Sequence, residues 1–272
     1  MPASSPPVLD RITLHPFKSL DGMEVQEATI SQGGCLLHDR EFALRDRDGQ
    51  MVIGKTNALV HTLRSEYDLD SQTISLRREG EASWQRFHWF REQERLEAYF
   101  SDHFGTPIEL VRDTTGRLLD IPDQSGATVV STASLQTVGE WFPTLDFPQV
   151  RRRFRTSLEI SGVPAFWEDR LFGDHNNAVE FTVGEVTFVG ISPRARCVVP
   201  TRDPVTGEPT SLFPRTFAKG RAANLPDWSG LREHPHAYYL AVDCLIPSSE
   251  VGKSLRVGDP VVIVDPRVPR GG

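Results

Sequence analysis

Behind two arginines, Arg194 and Arg196, sits a cysteine, Cys197, followed by Pro200-Thr201 and the turn-forming run Asp203-Pro204-Val205-Thr206-Gly207. A thiol flanked by guanidinium charge favours its thiolate, the form that attacks electrophiles or ligates soft metals. Residues 178–189 alternate as a hairpin through Val183-Gly184-Glu185, so Cys197 is expected where a strand gives way to a loop. A metal ligand is the expectation for Cys197, against the plain alternative of a thiol packed as a small apolar residue. Cys35 beside Leu36-Leu37 and Cys244 within the apolar run 238–245 are expected to be core.

A second set of residues could hold an anion. Lys18-Ser19 ends one alternating run and His38-Asp39-Arg40 begins another. Together they offer an ammonium, a hydroxyl and a guanidinium, the donor mixture an oxyanion prefers. Arg151-Arg152-Arg153 and Arg155 fall in a stretch read as a strand over 151–160, which would put Arg153 and Arg155 on one face. Other chemistries have weaker support. His234-Pro235-His236 lacks a zinc-site spacing, Trp167-Glu168-Asp169 is as readily a turn, and neither a nucleophile elbow nor a glycine-rich nucleotide loop occurs. A cysteine hydrolase would need a histidine beside Cys197.

The elements that must position these groups are mostly strands. Alternation and turn residues mark strands near 8–17, 24–30, 40–45, 50–54 and 67–78, with Asp48-Gly49 as a hairpin turn. This spacing suggests a small all-β barrel or sandwich. A helix is expected over 91–104, stopped by Gly105 and Pro107, and another near 135–141, capped by Thr132 or Ser134. Residues 108–112, 128–131, 238–245 and 254–264 read as strands, 114–126 as an exposed loop, and 208–221 is ambiguous because of Pro209 and Pro214. The fold class expected is mainly β (α+β).

The 272 residues are 38% hydrophobic and 25% charged, ordinary for a globular chain, with a net charge of −7 that argues against nucleic acid or an anionic membrane as the main partner. No apolar run is long enough for a membrane span. The three scattered cysteines do not suggest a disulfide framework, and the first residues lack the features of a secretory signal, so a cytoplasmic location is expected.

Cys197, Lys18-Ser19 and Arg40 occur together in a pattern that resembles the MOSC family (molybdenum cofactor sulfurase C-terminal domain), in the branch that includes the mitochondrial amidoxime-reducing component and its bacterial relatives. Pro16-Phe17-Lys18-Ser19, His38-Asp39-Arg40 and Asp48-Gly49-Gln50-Met51-Val52 match its N-terminal signature. Ser131-Thr132-Ala133-Ser134-Leu135, Phe154-Arg155, Arg196-Cys197 with Thr201, Asp203-Pro204 and Thr206-Gly207, and Val257-Gly258-Asp259-Pro260-Val261 match later parts. The resemblance implies an N-terminal MOSC β-barrel domain over 8–110 and a MOSC β-barrel domain with flanking helices over 111–268, with the pocket between them.

It also implies a molybdenum ion (or tungsten) on a molybdopterin, the molybdenum-molybdopterin cofactor, with Cys197 as the protein's metal ligand. Lys18, Ser19, Arg40, Ser131, Thr132, Arg155, Arg194, Arg196 and Thr201 would bind the cofactor, and Asp203 would be a catalytic proton donor. A fold of the pyridoxal-phosphate-binding kind stays open. The implied activity is reduction of N-hydroxylated small molecules (amidoximes, hydroxylamines, N-hydroxylated bases), with electrons from a separate cytochrome or a ferredoxin or flavoprotein reductase. The alternatives are a cofactor or sulfur carrier without turnover, and a β-rich binding protein with a buried Cys197. The sequence departs from the pattern at Arg155-Thr156-Ser157, where relatives have Arg-Pro-Asn, at Pro200-Thr201, where they have Thr-Thr, and at Gly54-Lys55-Thr56, where they often carry an arginine-rich loop.

Overall fold

The computed structural model describes residues 6–122, 126–173 and 177–269. In chain order its elements are β1 (Val8–Leu14), β2 (Met23–Val25), β3 (Glu27–Thr29), β4 (Phe42–Asp46), β5 (Leu63–Asp68), β6 (Thr73–Arg78), β7 (Gln85–His88), α1 (Gln93–Phe104), β8 (Ile108–Arg112), β9 (Ala127–Ser131), α2 (Thr132–Glu140), α3 (Phe147–Phe154), β10 (Leu158–Ser161), β11 (Asn177–Val183), β12 (Val186–Ala195), α4 (Phe213–Ala223), β13 (Tyr239–Leu245), β14 (Ser254–Arg256) and β15 (Val261–Pro269). The architecture is mainly β with four α-helices among the described residues, as expected.

The largest sheet runs β15-β11-β12-β13-β9-β10-β1-β2. Only β9 and β10 among these neighbours are parallel; α2 and α3 cross over between them. A bridge from Val8 to Pro260 brings β1 back towards the start of β15, so the sheet curls around its core. That core joins Leu9, Ile12 and Leu14 to Val129, Phe181, Phe188 and Val242. The first strand of the chain is therefore built into the same sheet as the last ones. A second core, from Phe17 to Leu110, lies under β5-β6-β7, the β4-β8 pair and α1, with Phe17 stacked on Phe42 at 4.8 Å. Lys18 and Ser19 thus follow directly on the chain's passage from one core to the other.

The stretch 151–160, read as one strand, is a helix end followed by a strand. Asp146 and Gln149 form a reciprocal capping box, Pro148 occupies the first turn, and Arg151–Arg153 lie in the last turn, where the helix dipole favours cations. The helix stops at Arg155, which adopts a left-handed conformation (φ 51°). Hence Arg153 and Arg155 do not share a strand face. Pro214, which made 208–221 ambiguous, also sits in a first turn, that of α4, where its missing N–H leaves nothing unsatisfied. The α2 cap is Ser131, whose Oγ accepts from Ser134 N at 3.1 Å, one residue before the expected Thr132.

The segment expected as an exposed loop at 114–126 packs inward over its described part, with Leu118 and Leu119 buried. Gly33 makes this possible. A Cβ at that position would lie 2.3 Å from the Thr115 backbone, so only glycine lets the two backbones meet.

Candidate active site

Cys197 follows the end of β12, whose pairing with β13 slips twice, between Gly190 and Ser192 and again between Pro193 and Ala195. Such bulges bend a strand and re-aim its end. The thiol is half-buried and lines a cavity of about 150 Å³. Lys18, Ser19, Arg40, Arg153, Arg155, Arg194 and Arg196 line the same cavity, so eight of the residues singled out from the sequence converge there. Cys35 and Cys244 are buried elsewhere, and burial pushes both thiols up.

Each cation is fixed differently. Lys18 Nζ donates to the carbonyls of Leu118 (2.7 Å) and Leu119 (3.4 Å) and lies 3.3 Å from Asp120 Oδ1. Burial lowers its pKa, partly offset by Asp120. Arg40 is paired with the buried carboxylate of Asp39 and donates to the Arg155 carbonyl at 3.3 Å. Asp39 also accepts from His15 N at 2.8 Å, which ties Arg40 to the end of β1. Arg194 bridges Asp243 (2.5 Å) and Asp120 (2.8 Å).

Arg196 donates to the Phe154 carbonyl at 2.6 Å and lies over the Phe154 ring, yet its Nε and Nη1 are buried without an acceptor. Burial, with Arg194 beside it, pushes its pKa down to about 10. Arg155 is pushed down to about 10 as well, by burial and by Arg40.

Four further residues line the cavity, and of these only Gly54 and Lys55 were noted in the sequence, as a departure from the family pattern. Asp120 comes from the inward-packed loop. Burial would raise its carboxyl, but Lys18, Arg194, Arg40 and Lys55 together hold it well below the usual carboxylate range. Lys55 and Gly54 come from the segment between β4 and β5, and Gly54 N donates to Ser19 Oγ at 3.3 Å. His61 lines the cavity with a buried, unpartnered Nε2; burial lowers its pKa. Spacing could not reveal Asp120 and His61, because each enters through tertiary packing.

The remaining expected residues lie elsewhere. Ser131 is fully buried in the α2 cap, and Thr132 Oγ1 donates to Asp10 at 3.3 Å. Thr201 Oγ1 donates to the Val198 carbonyl at 2.6 Å, closing the short turn after Cys197. Asp203 accepts from Val205 N and Thr206 N, both at 2.9 Å, and lies 3.8 Å from Arg153. None of these four lines the Cys197 cavity. Glu168 and Asp169 are buried behind α2 and α4, where Arg221 and Ser229 both donate to Asp169 at 2.5 Å.

Among the described residues, seven cations line the cavity (Lys18, Arg40, Lys55, Arg153, Arg155, Arg194 and Arg196) against the single carboxylate of Asp120. Backbone geometry is unusual here too. Ser19, His38, Arg40 and Arg155 all adopt left-handed φ values between 51° and 72°, a conformation that non-glycine residues hold only when surroundings impose it. The arrangement suits a compact anion held beside a thiol. No group of three or more His, Cys, Asp and Glu side chains is placed to hold a metal ion among the described residues.

Comparison with known proteins adds one firm match. Residues 7–106 fit the model of the MOSC N-terminal beta barrel domain. No curated protein matches. Among solved structures the chain is similar to the YUAD protein from Bacillus subtilis, at 9% identity over 95% of this chain and 96% of that one, with a TM-score of 0.42. Over residues 7–106 the chain is thus similar to the N-terminal β-barrel domain of MOSC proteins.

Proposed function

We propose that the chain binds a molybdenum–molybdopterin cofactor in the Cys197 cavity and uses it to reduce N-hydroxylated small molecules with electrons from a separate protein. One observation carries the reading. A chain of net charge −7 gathers seven cations around a half-buried thiol and leaves buried guanidinium atoms of Arg196 without an acceptor. Buried charged donors are costly to leave unmade, so such a cradle suits an anionic ligand. Lys18, Ser19, Arg40 and Arg155 would hold the phosphate and pterin, Arg194 and Arg196 would supply further donors, and Cys197 would ligate the metal.

When bound, the cofactor would supply the two-electron couple that removes an oxygen from nitrogen. The chain's own residues would do the rest. Arg40 and Lys18 are tethered before any ligand arrives, which lowers the cost of ordering them on binding. Asp120 limits the repulsion among the cations and is pinned in its charged form, which makes it unsuitable as a proton donor. Asp203 serves its own turn and does not reach the cavity.

The test is protein from a host that makes the cofactor, supplied with a chemical reductant and an amidoxime or hydroxylamine. Turnover in the wild type and none in Cys197→Ser is expected. Bound pterin without turnover of any N-hydroxylated compound would replace the enzyme by a carrier.

A further inference from the structure

A larger groove of about 530 Å³ shares Ser19, His61, Arg153, Arg155 and Val199 with the Cys197 cavity and extends from there past β5 to Trp84. Much of its charge is internally matched. Arg151 grips Glu159 through three contacts of 2.9–3.0 Å, Arg11 pairs with Glu24, and Arg152 donates to Asp21 at 3.1 Å. Glu66 is exposed.

Arg64 is different. It is 8% exposed, and its Nη2 is used by the carbonyls of His61 and Pro204. Its Nε and Nη1 have no acceptor: Asp21 stands 3.5 Å away and Glu79 3.9 Å, close enough for charge but without a hydrogen bond. The buried Nε of Arg202, which lines the same groove, also lacks one. Two guanidinium groups with unused buried donors in one groove call for an oxyanion. At the rim, Trp84 is 39% exposed with Arg77 over its ring at 5.1 Å, which leaves aromatic surface for a planar group. The space is of the size that small organic ligands fill.

We infer that this groove is a second oxyanion subsite, which takes the phosphoryl group of a nucleotide-sized ligand through Arg64 and Arg202. It adjoins the Lys18-Ser19-Arg40 cradle, but Arg64 and Arg202 do not line the first cavity, so the subsite stands whatever fills that cavity. The phosphoryl group could belong to a nucleotide appended to the cofactor or to a free nucleotide.

The experiment is calorimetric titration of the full chain, prepared without cofactor, with inorganic phosphate and with cytidine and guanosine monophosphates. Saturable binding of a nucleotide, at least tenfold tighter than phosphate and at least tenfold weaker in Arg64→Gln, is expected. Arg202→Gln and Trp84→Ala, at less buried positions, should weaken it too and serve if Arg64→Gln does not fold. No nucleotide binding by the wild type at millimolar concentration would overturn the subsite, as would binding abolished by Lys18→Ala and untouched by Arg64→Gln and Arg202→Gln. Acid hydrolysis of cofactor-loaded protein separates the sources. A released nucleoside monophosphate assigns the group to the cofactor, and binding without such release assigns it to a free nucleotide. Because the titration needs no metal, its failure and failure of the molybdenum reading are separate results.

Discussion

At the scale of single residues, the cavity is a balance between burial and charge. Arg196 has two buried guanidinium nitrogens that no protein atom accepts from, and burial weakens the hold of both Arg155 and Arg196 on a proton. The same physics acts on Glu168, outside the cavity. Burial, with Asp169 beside it, pushes its carboxyl up to about 7, although Ser134 donates to it at 2.8 Å. A folded-state pKa above the unfolded value near 4.5 means that the folded chain binds the proton more tightly. The stability this gives is complete below pH 4.5 and is lost as pH rises through 7. The difference is on the order of 3 kcal/mol. Glu168→Gln should therefore leave thermal stability near that of the wild type at pH 5 and raise it at pH 8. An equal shift at both pH values in a melting series would contradict the assignment.

Among elements, α3 and the loop before β9 decide whether the cavity exists. The capping box fixes where α3 starts, and the left-handed Arg155 ends it, so that one residue both closes a helix and presents a cation. These two roles separate by substitution. Arg155→Gly should keep or slightly raise the melting temperature, since glycine relaxes the positive φ, while anion binding drops at least tenfold. A matched fall in both would make Arg155 merely structural. Asp146→Ala removes the cap and should cost about 1 kcal/mol in chemical denaturation.

The same elements show what the sequence could and could not convey. Lys18-Ser19, Arg40 and Arg196-Cys197 were legible because they end strands and bracket turns, where side chains are free to converge. The arginine run was misread because apolar and basic residues alternate there over too few positions to separate a helix end from a strand. The decisive signal was Asp146-x-x-Gln149 upstream. Asp120 and His61 were invisible, since only the backbone approach of Gly33 to Thr115 and the packing of the segment before β5 bring them to the thiol.

Across the whole molecule, a net-acidic chain concentrates positive charge around one cavity. No helix among the described residues is long and apolar enough to cross a membrane. Binding of a small anion should weaken as salt rises, but less steeply than for surface charges, because the partly buried cations are poorly screened. Phosphate affinity measured between low and near-physiological salt checks this, and no salt dependence at all would contradict an electrostatic cradle.

The most direct measurement is the molybdenum content of protein from a cofactor-producing host, wild type beside Cys197→Ser, with folding verified for each. The thiol and its cationic cradle predict metal equimolar with chain in the wild type and a large loss in the variant. Equal metal in both, or none in a wild type that retains bound pterin, would contradict the assignment of Cys197 as the ligand.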